Sequence, residues 1–187
     1  MTLSEESRHN YSERIKQFDR YKRTTPIGIF GSFYASRKPG LIALKEFLSN
    51  AGYYPRISED LDTRKGKDRT IKDPALDREL SERLIAESDI HLFVLVHERT
   101  NEPGNLIQSV SMEIERLHTL DSCGQKSAKY VAVYAETGLI GTMGSVCEGL
   151  LLLKQGDWQI LEFDEIQELF KPARQFCMNC IQEMYRF

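Results

Sequence analysis

The run IHLFVLVH, residues 90–97, limits the possible folds more than any other stretch of the chain. It is apolar at almost every position, so a strand made from it has no face to offer to water. Such a strand belongs in the middle of a parallel sheet covered on both sides by helices. YVAVYAE, 130–136, has the same character. Shorter strands are expected at IGIFGSF (27–33), YYPRIS (53–58) and WQILEF (158–163).

Helical patterns separate these strands. Residues 3–22 carry a stripe of Tyr11, Ile15, Phe18 and Tyr21. Further helices are expected over 41–52, capped by Gly52, over 75–89, over roughly 106–119 and at SVCEGLLLLKQ. A last helical segment, 164–185, is expected to be interrupted near Pro172. Strand and helix alternate from residue 27 onward, which predicts βαβ crossovers. The expectation is an α/β, Rossmann-like (flavodoxin-like) fold: a mostly parallel sheet of about five strands with helices on both faces. The 187 residues suit one domain with its core at about 26–163.

The net charge of −3 gives no basic field for nucleic acid. RKGKDRTIK, 64–72, is basic but has no interleaved aromatics, so a solvated loop is preferred to a nucleic-acid contact. No apolar run is long enough to span a membrane, and the polar N-terminus lacks a signal-peptide core, so a cytoplasmic chain is expected. Cys177 and Cys180 form a lone CxxC in a helical pattern. A structural zinc site usually needs four ligands and no second CxxC is present, so buried thiols are preferred to a metal or redox pair. No metal or cofactor is expected.

Ligands of open parallel sheets bind beyond the carboxyl ends of the strands. After the first strand come Gly31, Ser32, Phe33 and Arg37, with Lys38; a Gly-Ser turn beside a helix N-terminus can receive an anion, or it can simply be a tight turn. After the strongest strand come His97, Glu98, Asn101, Asn105, Ser109 and Glu113. His97 reads either as a ligand contact or as a residue bonding a neighbouring loop. Ser109 and Glu113 are one helical turn apart, with Met112 and Leu117 marking the adjacent buried face. Glu113 thus lies near the cleft edge, as a working carboxylate or an ordinary ion-pairing one. A third loop, AETGLIGTMGSVCEG, carries glycines and a second carboxylate, Glu148.

Over residues 26–150 these features resemble the superfamily joining nucleoside 2-deoxyribosyltransferases to Toll/interleukin-receptor (TIR) domains. The deoxyribosyltransferase helix reads close to Gly-Thr-x-x-Glu-x-Gly. SVSMEIE sets Ser109, Val110, Glu113 and Glu115 at its four defined positions. TIR enzymes place a serine four residues before their glutamate, as Ser109 stands to Glu113, and GIFGSFYAS looks like the first substrate loop. The resemblance implies a diverged member acting on an N-glycosidic bond, as hydrolase or transferase, with a nucleoside, nucleotide or NAD as substrate. Glu113 would attack the anomeric carbon or face the cationic charge developing there. The helix N-terminus would keep it ionised, Ser109 would bind a ribose hydroxyl, and the Gly31–Ser32 turn would hold a phosphate or ribose. Two alternatives share the fold: a nucleotide-binding domain without catalysis, and an interaction domain of the TIR kind that assembles with further copies.

Overall fold

A computed structural model describes residues 5–31, 38–64, 73–97, 106–142 and 145–186. Its elements, in order, are α1 (Glu5–Thr24), β1 (Pro26–Gly31), α2 (Lys38–Asn50), β2 (Tyr54–Arg56), α3 (Pro74–Glu87), β3 (Ile90–Leu95), α4 (Leu106–Ser122), β4 (Val131–Glu136), α5 (Ser145–Leu153), β5 (Gln159–Phe163) and α6 (Phe170–Tyr185). The five strands form one sheet in the order β2-β1-β3-β4-β5, and every pairing is parallel. The fold is the α/β, Rossmann-like arrangement expected from the sequence.

All six residues of β3 are buried, and so are the first five of β4. Alternate side chains of each strand enter different cores, because successive side chains point to opposite faces. Phe30, Phe93, Leu95 and Val133 pack beneath α3, α4 and α5, against Leu84, Ile114, Leu117 and Leu151. Ile29, Leu92, Val94 and Tyr134 pack beneath α2 and α6, against Leu44, Leu48, Cys177 and Ile181. The inner face of α4 is Val110, Ile114 and Leu117, spaced at four and three residues. Met112 falls outside that stripe and is 62% exposed, contrary to the sequence expectation.

Two boundaries depart from expectation for local reasons. Helix α2 begins at Lys38, so Pro39 stands in its first turn, where no backbone N–H is required. Gly52 ends the same helix as expected, at φ +84°, and Tyr53 N–H then reaches back to the Leu48 carbonyl. At the other end of the chain a 3₁₀ turn, Ile166–Leu169, leads directly into α6, and Pro172 is accommodated in the first turn of that helix. The interruption therefore precedes the proline.

Helix α3 starts with Asp73, whose carboxylate accepts from the N–H groups of Ala75 and Leu76, followed by Pro74 at the first helical position. Before it, Ser58–Leu61 forms a 3₁₀ turn that buries Leu61, so the 59–74 connection is anchored at its start. In α1, Phe18 and Tyr21 pack onto the core, while Tyr11 and Ile15 are exposed. Cys177 and Cys180 are buried free thiols, and burial pushes both above the ordinary thiol range. No helix of the described residues is long and apolar enough to cross a membrane.

Candidate functional site

The strand order fixes where a ligand crevice opens. From β1 the chain turns outward to β2; from β3 it turns the other way to β4. The two exits diverge at the carboxyl ends of β1 and β3, which is the topological switch point of a doubly wound sheet. Helix α2 leaves this point on one face of the sheet and α4 on the other.

Gly31 and His97 lie at this switch point. Gly31 pairs in register with Val94, and His97 follows three residues later. A Cβ at residue 31 would lie 2.8 Å from a Leu41 methyl and 3.3 Å from the Val94 carbonyl oxygen, so close packing under α2 already requires the glycine. The His97 backbone N–H donates to Glu136 Oε2 at 2.5 Å, and its Nε2 donates to the Thr137 carbonyl at 3.2 Å. The histidine thus ties the end of β3 to the end of β4. Glu136 is a carboxylate at the rim that the sequence reading passed over; its only signal was its place as the first charged residue after the apolar run of β4.

Ser109 lies in the first turns of α4 and is exposed. Lys38, expected to add positive charge near the first loop, forms an ion pair with Glu59 at 2.7 Å. Glu148 lies on α5 and is half-buried. Ser32, Phe33, Arg37 and Asn105 lie outside the described residues, as do Glu98 and Asn101.

Glu113 departs most from expectation. It is the eighth residue of α4, about 10 Å along the helix axis from Leu106. The helix dipole acts within the first turn, so it does little to hold this carboxyl in its charged form. The side chain turns toward α3, where the Ser81 hydroxyl donates a short hydrogen bond to Oε1. Oε2 sees no solvent and has no partner among the described residues, although other parts of the residue remain partly exposed. Burial pushes the carboxyl up to about 7; the Ser81 bond opposes that rise without cancelling it. The expectation of a permanently ionised carboxylate is therefore corrected: at neutral pH both forms are populated. Ser109 and Glu113, one turn apart, occupy different environments: Ser109 is exposed, while the Glu113 Oε2 atom is enclosed.

A second buried ionisable group lies deeper on the same face. His91, on β3, stacks near Phe30 and Phe93, and its Nε2 donates to the Ile85 carbonyl at 3.1 Å. Burial holds it down at about 4, so it is neutral. A cavity of about 160 Å³ lined by Asp89, Lys126, Ser127, Tyr130 and Met184 lies at the opposite end of the sheet, where β3 and β4 begin, and holds none of the expected site residues. Among the described residues no cluster of three or more His, Cys, Asp or Glu side chains is arranged to hold a metal ion.

No protein-family model matches the chain, and no curated protein matches it.

Proposed function

We propose that this protein acts on the N-glycosidic bond of a nucleoside, a nucleotide or NAD, in the crevice between β1 and β3, with Glu113 as its working carboxylate. The observation that carries this reading is the state of Glu113: a carboxyl buried between two helices, raised to about 7, with one oxygen bonded and the other without a partner among the described residues. Burying such a group costs stability, and polar groups left unsatisfied in this way cluster where function needs them. The crevice lies where ligands of this fold bind. A ligand reaches Glu113 by entering the seam between α3 and α4 from the crevice end, and its burial there strengthens every charge interaction with the carboxylate. In its ionised form the carboxylate then faces the positive charge that grows on the sugar as the base departs, or attacks the anomeric carbon to form a glycosyl ester that water or a second acceptor cleaves.

A second reading keeps the crevice and omits the chemistry. Glu113 is tethered to Ser81 and turned away from the rim, which also suits a domain that binds a nucleotide and changes the packing of α3 against α4 in response.

One experiment separates the two. The protein is incubated with a panel of nucleosides, nucleotides and NAD, and free base is followed by chromatography. The glycosidic reading expects base release that falls by roughly a hundredfold or more in Glu113→Gln, with binding retained. Release at an unchanged rate in the variant removes Glu113 from the chemistry. Binding without release supports the sensor.

A further inference from the structure

Helices α3 and α4 lie side by side on one face of the sheet, and both start at its carboxyl end. Ser81 is the eighth residue of α3 and Glu113 the eighth of α4, so the two meet at the same depth. A serine inside a helix is mildly unfavourable, and its hydroxyl commonly turns back to the carbonyl four residues earlier. Ser81 instead donates across the seam, from a helix that sends Leu80, Leu84 and Ile85 into the core. It is the hydrogen-bond partner of Glu113 Oε1, and among the described residues Oε2 has none. Neither protonation state completes the account. The ionised form leaves Oε2 without a donor; an acid protonated on Oε2 leaves its O–H without an acceptor.

We infer that Ser81 is a positioning residue for Glu113: its hydroxyl fixes the carboxyl across the α3–α4 seam and favours the ionised form, leaving Oε2 as the oxygen offered to a hydrogen-bond donor or cationic centre of a ligand. This rests on the proposed function only in the ligand's identity; the tether itself does not depend on it. Among the described residues, no charged side chain takes the place of Ser81 at Glu113. On α3, Arg78 pairs with Glu82, Arg83 pairs with Glu87, and Asp77 and Glu79 are exposed. On α4, Arg116 is exposed, and neither Glu115 nor His118 contributes to the displacement of Glu113. His91 on β3 is neutral.

The test is a carboxyl-carbon NMR titration of the full chain, with the Glu113 signal assigned by its loss in Glu113→Gln. Removing a hydrogen bond to the charged form in Ser81→Ala should raise the proton affinity of Glu113 about fivefold, or about 0.7 pH units in the midpoint. Ser81→Thr keeps the hydroxyl and should return the midpoint to within about twofold of the wild type in proton affinity. If alanine prevents folding, Ser81→Cys keeps the volume with a much weaker donor and should give the same upward shift. An unchanged midpoint in the alanine or cysteine variant overturns the tether. A shifted midpoint in a protein that releases no base leaves the tether standing and defeats the glycosidic reading alone. Base release with an unshifted midpoint does the reverse.

Discussion

Glu113→Gln is also the sharpest probe of stability. The folded protein holds the carboxyl at about 7, against the ordinary glutamate value of 4.5. A folded value raised above the unfolded one gives stability that is fully present below pH 4.5 and lost as pH rises through about 7. The difference of roughly 2.5 units, at 1.36 kcal/mol each, comes to about 3 kcal/mol lost between pH 4 and pH 8. Glutamine has the same shape and cannot ionise, so the variant should escape this loss. The assay is urea unfolding of both proteins at intervals from pH 4 to pH 8. Every other titrating group is common to the two and cancels in the difference. With a denaturant slope of about 2 kcal/mol per molar, the wild type's midpoint should fall by roughly 1.5 M relative to the variant across that range. A difference that stays flat to within about 0.5 kcal/mol would refute the argument, because a carboxyl with its ordinary affinity for protons has no such penalty.

Two further outcomes follow from other buried groups. His91, held at about 4 by burial, contributes stability that is present above its ordinary value of 6.5 and lost as pH falls through 4, again about 3 kcal/mol; His91→Phe should abolish this acid sensitivity, as read by comparing unfolding midpoints at pH 7 and pH 4. Among the thiols, exposed Cys123 should react with an aromatic disulfide reagent at pH 8 at least roughly a hundredfold faster than Cys177 and Cys180 in the folded protein, as read by mass spectrometry of the labelled peptides; equal rates would mean that the CxxC is accessible after all.

The layering was legible because burial on two faces writes an unmistakable pattern. β3 and β4 are runs in which both sets of alternating side chains must be apolar, and no amphipathic element imitates them. β2 has only three paired residues and β5 is an open edge, so their sequences carry less of that pattern and their bounds were read too widely. The face of α4 was harder. Val110, Ile114 and Leu117 set the stripe, but Met112 lies close enough in sequence to suggest a rotated one. That small rotation decides whether Glu113 looks outward to the cleft or sideways to α3. Ser81 was not legible at all, since its partner is thirty-two residues away on another helix and a lone helical serine carries no periodic signal. Glu136 was visible only as the end of a strand, because a carboxylate that caps a neighbouring strand's N–H is defined by register and not by spacing.

The docking of α6 bears on how the chain is made. Its residues Ala173, Cys177 and Ile181 cover the same sheet face as Ile29, Leu92 and Tyr134, and Tyr185 stacks on Tyr21 of α1 at 3.6 Å. The ribosome delivers α1 and β1 long before α6. At about 5–20 residues per second, the interval is roughly seven to thirty seconds. Throughout it, the emerging strands have no α6 to cover that apolar surface, and α1 lacks the tyrosine against which it will stack. Synthesis is therefore the period of greatest exposure for this protein, and slower translation or scarce chaperones should lower its yield well before any change in the finished fold could be measured.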